Sequence, residues 1–141
     1  MTKFVFVCTG NTCRSPMAEA IMKNKGFEAK SAGIFAFPGA PISKEAKDVL
    51  KENGIEFDHT AKTFHQQLGE WADIILTMTE SHKDYIAKTF PMFTSKLYTL
   101  KEYADGTPGD VIDPFGGTID TYRSTFKELE GLLQRVADKT E

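Results

Sequence analysis

The chain has 141 residues, of which 40% are hydrophobic and 26% are charged, with 17 basic side chains against 20 acidic ones. This balance predicts one globular domain over residues 1–141 and excludes a disordered or membrane-spanning chain. Because the sequence has no basic run, signal peptide or long apolar segment, we expect a cytoplasmic protein with no nucleic-acid or membrane partner. A monomer is the default expectation.

The predicted elements begin with a buried strand that leads into a helix. Residues 4–7 form an unbroken run of apolar, β-favouring side chains, which is typical of a central strand in a parallel sheet. A helical pattern begins near Pro16, a residue suited to a first helical turn, and stops at Gly26. Residues 8–15 are therefore predicted to form a strand-to-helix turn.

The rest of the chain alternates strand and helix patterns. Further strands are predicted at residues 30–33, 73–78 and 97–100, and further helices at residues 43–53, 79–90 and 122–136. The alternation predicts an α/β fold, a single three-layer domain whose central four-stranded parallel sheet has helices on both faces. In such folds ligands bind beyond the carboxyl ends of the strands, which is where Cys8 lies.

The strand-to-helix turn carries a cysteine and an arginine separated by five residues. A loop that opens a helix can aim successive backbone N–H groups at an oxyanion, and Gly10 tolerates the backbone angles or close approach that this requires. Arg14 offers a planar fork that matches two phosphate oxygens, and its charge favours Cys8 as a thiolate. The pattern predicts a phosphate-binding loop after the first strand, with Cys8 as nucleophile.

A second loop, late in the chain, supplies a candidate general acid. Residues 110–117 are rich in turn-forming residues and place Asp113 before Pro114. Thiolate attack on phosphorus expels a poor leaving group unless an acid protonates it, and Asp113 on a loop over the pocket can do so. The same carboxylate would then activate water to hydrolyse the phosphocysteine and release inorganic phosphate, a two-step reaction that needs no metal or other cofactor.

Other residues are predicted to support or line this site. The Ser15 hydroxyl can hydrogen-bond the thiolate, and the Asn11 amide can brace the loop from inside. Phe35, Phe37 and Phe115 are open between anchors of their loops and aromatic walls that would select a flat side chain. The predicted substrate-binding residues are Thr9, Gly10, Asn11, Thr12, Cys13, Ser15, Phe35 and Phe115. Cys13 is open between a buried residue at a helix end and a partner that traps oxidised Cys8 as a disulfide. The three histidines lack metal-ligand spacing, so no metal site is expected.

With these residues in view, the chain resembles the low-molecular-weight protein tyrosine phosphatase family over essentially its whole length. The resemblance lies in residues 7–19, residues 31–33, residues 72–78 and the run Asp113-Pro114-Phe115. It implies that the family's nucleophile, phosphate-binding arginine and general acid are Cys8, Arg14 and Asp113. It also implies that Asn11 and Ser15 are the family's loop asparagine and serine.

Two departures from the usual family pattern concern the substrate. Thr12 stands where tyrosine-specific members usually carry a bulky aliphatic residue, and two glycines follow Phe115 where many members have paired aromatics. Within the family the chain is most similar to the bacterial protein-arginine phosphatases, in which a threonine at this position marks preference for phosphoarginine. The resemblance therefore implies phosphorylated proteins as substrates, with phosphoarginine preferred and phosphotyrosine as the alternative. Asp113 could also pair with the planar substrate guanidinium.

Two other classes of function share parts of the pattern. A thiol-dependent arsenate reductase has a very similar loop but relays a disulfide through further cysteines, and this chain has only Cys8 and Cys13. A phosphate-binding module without catalysis would be expected to lack the nucleophile, the arginine or the acid. The cysteine count and the presence of all three groups favour a phosphatase.

Overall fold

A computed structural model describes residues 1–140 of the chain. The strands are β1 (Lys3–Cys8), β2 (Glu28–Gly33), β3 (Ile74–Thr77) and β4 (Leu97–Thr99). The helices are α1 (Arg14–Asn24), α2 (Lys44–Glu52), α3 (Gln66–Trp71), α4 (Glu80–Thr89), α5 (Leu100–Asp105) and α6 (Ile119–Asp138), with a 3-10 helix at Pro91–Lys96. Within these residues no helix is both long enough and apolar enough to cross a membrane.

The four strands form one parallel sheet in the order β2-β1-β3-β4. Strand β1 is paired on both sides, with Phe4 opposite Ala29 of β2 and Ile74 of β3. A strand in this position buries both faces, which explains its unbroken apolar run. Strand β2 lies on one side of β1, and β3 and β4 lie on its other side, so the order of the strands reverses between β1 and β3. In such folds ligands bind at the carboxyl ends of the strands beside this switch point. The predicted α/β fold with a four-stranded parallel sheet is confirmed.

Helices cover both faces of the sheet, and alternate residues of β1 serve the two cores. Phe4 and Phe6 pack with apolar residues of α1, α2, α5 and α6 on one face. Val5 and Val7 pack with residues of α3, α4 and the 3-10 helix on the other face. Side chains of a strand point alternately to opposite faces, so this single run anchors both layers. The result is the predicted three-layer arrangement.

Most predicted elements are present, and their caps agree with the sequence pattern. The hydroxyl groups of Ser43 and Thr79 accept hydrogen bonds from the first turns of α2 and α4. Three short elements were not predicted, namely α3, α5 and the 3-10 helix, each of six residues. One or two turns contain too few residues to show a hydrophobic period, so their sequences resemble loops. The prediction for the fourth strand was one residue too long, because Leu100 already begins α5.

Candidate active site

The loop between β1 and α1 turns its carbonyl groups outward. The carbonyl oxygens of Cys8 and Thr9 accept hydrogen bonds from the backbone N–H groups of Ile34 and Phe35, each at 3.0 Å, and that of Thr12 accepts one from Ser43 at 2.9 Å. In a planar trans peptide the C=O and the following N–H point in opposite directions. The next N–H in each case therefore faces the inside of the loop, which creates a concave site for an anion.

The Cys8 sulfur is held at the base of this loop. It is buried and lies 2.8 Å from the Ser15 hydroxyl oxygen, while the Asn11 N–H donates to it at 3.3 Å. The Ser15 oxygen also accepts a hydrogen bond from the Asn11 side-chain amide at 2.9 Å. The single Ser15 O–H can donate to the sulfur at 2.8 Å or to the Ala32 carbonyl oxygen at 3.5 Å, and the sulfur is the nearer acceptor.

Asn11 determines the backbone course of the loop. Its φ of 59° lies in the left-handed region, which asparagine tolerates better than most residues. Gly10 was expected to allow either unusual backbone angles or a close approach, and its φ is not positive. A Cβ added at Gly10 would meet only the Thr12 hydroxyl, at an ordinary contact distance of 3.8 Å. The left-handed position is therefore Asn11, one residue after Gly10. Gly10 lines the cavity without a side chain, which leaves the close approach as its remaining role.

Arg14 and Asp113 meet across the mouth of the loop. The Arg14 side chain is buried, and its Nη1 donates to the Val111 carbonyl oxygen at 3.0 Å, while Nη2 lies 3.6 Å from Asp113 Oδ2. Asp113 is half-exposed, and its Oδ1 accepts a hydrogen bond from the Phe115 N–H at 3.0 Å. The Val111 contact fixes one arm of the guanidinium fork, so its orientation is set before an anion binds.

A cavity of about 230 Å³ joins the two loops. Its lining residues are Cys8, Thr9, Gly10, Thr12, Cys13, Arg14, Asp113 and Phe115. The structure thus brings the three proposed catalytic side chains and most of the proposed binding residues to one cavity. Asn11 and Ser15 lie behind it, buried in the hydrogen-bond network.

Phe35 and Cys13 differ in their placement, because Cys13 lines the cavity and Phe35 does not. Phe35 lies outside the lining of the cavity, is 69% exposed and makes an edge contact with the Tyr85 ring, with the ring centroids 5.5 Å apart. Cys13 is buried as a free thiol at the start of α1, 3.4 Å from the Tyr122 hydroxyl. Burial and the contact with Cys13 raise the pKa of Tyr122 to about 12, so this hydroxyl stays protonated.

Asn11 braces the loop through a buried polar network whose distant members were not identified from the sequence. Its side-chain oxygen accepts hydrogen bonds from the Lys62 N–H and from His59 Nε2, both at 3.0 Å, and its amide donates to Ser31 at 3.0 Å. Burial, partly opposed by the Glu19 charge, lowers the pKa of His59, so the ring is neutral at pH 7. Since Nε2 faces only acceptors of Asn11, it carries the ring hydrogen.

His82 is a second buried histidine in contact with the loop. Its Nε2 lies 2.8 Å from the Thr9 hydroxyl oxygen, and its Nδ1 is buried with no hydrogen-bond partner. Burial and the positive charge of Arg14 lower the pKa of His82 to about 4, so it too is neutral at pH 7. His65, the third histidine, is exposed and contacts only the nearby Thr63 carbonyl oxygen. No spacing rule links residues so distant in sequence, so only the fold reveals these contacts.

The geometry suits attack on an anionic tetrahedral centre. Inward N–H groups and a guanidinium can hold oxygens around a central atom, a sulfur nucleophile lies at the base, and a carboxyl group lies at the mouth. Such a site can transfer a group to sulfur while the acid protonates the group that leaves from the opposite side.

Comparisons with known proteins agree with this geometry. Residues 3–141 match the family described as "Low molecular weight phosphotyrosine protein phosphatase". A protein-arginine-phosphatase from Geobacillus stearothermophilus is 50% identical over 140 residues, which are 97% of this chain and 95% of that protein. The low molecular weight protein-tyrosine-phosphatase PtpB from Staphylococcus haemolyticus (strain JCSC1435) is 41% identical, over 95% of this chain and 96% of its own.

A solved structure adds a chemical observation about a similar protein. It is a cysteine-to-serine mutant of the YwlE arginine phosphatase with a phosphorylated active-site serine. It superposes with a TM-score of 0.94 and 44% sequence identity, over 98% of this chain and 95% of that one. The two proteins therefore share one fold over nearly their whole lengths.

Proposed function

Because the chain belongs to the low molecular weight phosphotyrosine protein phosphatase family, we propose that it is a cysteine-dependent phosphatase that acts on phosphoarginine in proteins. The observation that carries this proposal is the meeting of Cys8, Arg14 and Asp113 at one cavity with the short Thr12 side chain in its wall. The activity named for the relative with 50% identity supports it.

In the first step the Cys8 thiolate attacks phosphorus. A sulfur–phosphorus bond forms, the phosphorus–nitrogen bond of phosphoarginine breaks, and the Asp113 carboxyl gives its proton to the departing guanidine nitrogen. The Arg14 fork and the inward N–H groups bind the phosphoryl oxygens, whose charge they stabilise in the transition state. The phosphorylated serine in the YwlE mutant supports a covalent intermediate of this kind.

In the second step water hydrolyses the phosphocysteine. The Asp113 carboxylate accepts a proton from the water, whose oxygen bonds to phosphorus as the sulfur–phosphorus bond breaks. The electron pair returns to Cys8 as a thiolate, which the Ser15 hydroxyl at 2.8 Å can stabilise by hydrogen bonding. The product is inorganic phosphate, and Asp113 is again protonated for the next turnover.

The choice between phosphoarginine and phosphotyrosine rests on the cavity wall. Thr12 is short and presents a hydroxyl, and Asp113 is half-exposed at the mouth, where it can pair with a guanidinium. Phe115 is 79% exposed and lines the cavity, so it can cover either a guanidinium or an aromatic ring. A protein-tyrosine phosphatase is the second candidate, because the PtpB relative is 41% identical.

The deciding experiment compares matched peptides that carry phosphoarginine or phosphotyrosine at the same position. We expect kcat/KM to be at least about tenfold higher for phosphoarginine. The Cys8→Ser variant, with no detectable turnover of either peptide, serves as the control for contaminating phosphatases. A higher kcat/KM for phosphotyrosine would refute the arginine preference, and full activity of Cys8→Ser would refute the nucleophile.

A further inference from the structure

The first turn of α4 contacts both loops that carry reactive groups: the nucleophile loop at residues 8–15 and the acid loop at residues 110–117. On one side His82 Nε2 lies 2.8 Å from the hydroxyl oxygen of Thr9, the residue after the nucleophile. On the other side the Glu80 backbone N–H donates to Asp110 Oδ1 at 2.9 Å, three residues before the general acid. This turn therefore connects the nucleophile loop to the acid loop.

The acid loop is fixed just upstream of Asp113. The Val111 N–H donates to the Met78 carbonyl oxygen at 2.8 Å, and the Val111 carbonyl oxygen accepts the hydrogen bond from Arg14. Asp110 adds a carboxylate at the positive end of the α4 dipole, where a negative charge is favourable. Asp113 is half-exposed and contacts Arg14 and the Phe115 N–H, and its position relative to the Cys8 sulfur depends on these upstream contacts as well.

We propose that Asp110 is a positioning residue for Asp113 and acts through the first turn of α4. Asp110 does not line the cavity. Its bond to Glu80 keeps the start of the acid loop against a turn that His82 joins to the nucleophile loop. Proton transfer requires the acid and the leaving atom to come within hydrogen-bond distance, so a looser loop slows protonation. The inference rests on the proposed role of Asp113 as general acid.

The test uses two aryl phosphates whose leaving groups differ in their need for a proton. Phenyl phosphate expels a basic phenolate and depends on the acid, whereas p-nitrophenyl phosphate expels a weakly basic one. Since kcat also contains the hydrolysis step, which is the same for both substrates, the quantity compared is kcat/KM, which reports phosphoryl transfer to Cys8. We expect Asp110→Ala to lower kcat/KM about three- to tenfold on phenyl phosphate, with a smaller loss on p-nitrophenyl phosphate. Asp110→Asn keeps an oxygen that accepts the Glu80 N–H, so it should retain most of the activity.

A second variant removes the other partner of the same bond. Glu80 is exposed and is the first residue of α4, a position that accepts proline, so Glu80→Pro deletes the N–H donor without breaking the helix. It should reproduce the selective loss of Asp110→Ala. The matched control Glu80→Ala keeps the N–H and should behave as the unchanged protein. Equal losses on the two substrates, or equal losses in Glu80→Pro and Glu80→Ala, would overturn the inference.

A double-variant cycle tests whether Asp110 acts through Asp113. In an Asp113→Asn background, Asp110→Ala should lower kcat/KM on phenyl phosphate less than about twofold, because the acid is already absent. A full further loss in that background would overturn the positioning role and leave the proposed function standing. If Asp113→Asn alone left phenyl phosphate turnover unchanged, the proposed acid and this inference would both fail.

Discussion

Asn11 meets two structural requirements of the nucleophile loop, a left-handed backbone conformation and a set of buried hydrogen bonds. Its backbone adopts the left-handed conformation, which disfavours most side chains, and its buried amide bonds Ser15, Ser31, His59 and the Lys62 N–H. Glycine would satisfy the backbone but leave those partners unpaired, and a buried unpaired polar group is costly. An asparagine is therefore required by the loop itself, independently of substrate.

Thr12 is the residue at which we expect substrate choice to change. Thr12→Ile adds apolar bulk to the cavity wall and removes the hydroxyl, so we expect the ratio of kcat/KM for phosphoarginine over phosphotyrosine to fall about tenfold or more. The matched control Thr12→Val removes the hydroxyl with almost no change in volume. If the ratio falls only in Thr12→Ile, the size of the side chain determines the preference. If it falls in both variants, the hydroxyl determines it. An unchanged ratio in both would show that specificity depends on other residues.

At the scale of elements, the end of β2 forms the outer wall of the phosphate loop. Gly33 lies against it, and a Cβ added there would be 2.5 Å from the Thr9 carbonyl oxygen and 3.1 Å from the Asn11 nitrogen. The next residue, Ile34, donates to the Cys8 carbonyl oxygen. The close approach of backbone to backbone keeps the loop carbonyls turned outward, so strand packing determines the anion site.

Gly33→Ala should therefore damage catalysis as well as stability. The added methyl group must displace rigid backbone of the loop, and we expect kcat to fall at least about tenfold, since small misplacements in an active site are costly. The control is Gly69→Ala in α3, where a Cβ would collide with the Phe93 ring and not with the backbone of the loop. Both variants should lower the urea midpoint of unfolding. If both lowered kcat equally in the folded protein, the effect of Gly33 would be general destabilisation.

The elements that could be predicted are those with a long pattern or a clear boundary residue. Patterns of neighbouring residues predicted the apolar strand β1, the helix caps Ser43 and Thr79, and the amphipathic helix α6. The order of the strands and the contacts of His59 and His82 were not predicted, because they depend on which distant segments the fold brings together. Local patterns thus indicate the reactive residues, and the tertiary fold determines which residues support them.

At the scale of the whole molecule, the site forms where several crossover connections meet. The nucleophile loop follows β1, the end of β2 forms the outer wall of that loop, and His82 belongs to the helix after β3. All lie at the carboxyl edge of the parallel sheet, at the switch point between β1 and β3. The buried groups around the site are therefore buried only in the folded chain, which links their protonation to folding.

His82 should make stability depend on pH. Its pKa is near 6.5 in the unfolded chain, and burial with the Arg14 charge lowers it to about 4 in the fold, where the charges of Asp110 and Asp113 oppose the shift only in part. Between pH 6.5 and about 4 the unfolded chain binds a proton that the folded chain excludes. The free energy of unfolding should therefore fall as the pH is lowered through this range, with a slope from this group of up to about 1.4 kcal/mol per pH unit.

Urea unfolding at several pH values, followed by circular dichroism, measures this slope. His82→Gln cannot titrate in this range, so its free energy of unfolding should fall less steeply between pH 6.5 and 4 than that of the unchanged protein. Part of the slope should remain, because burial also lowers the pKa of His59. His65→Gln is the matched control, since solvent surrounds that ring in the folded chain as well. Identical slopes for the unchanged protein and His82→Gln would show that folding does not remove a proton from His82.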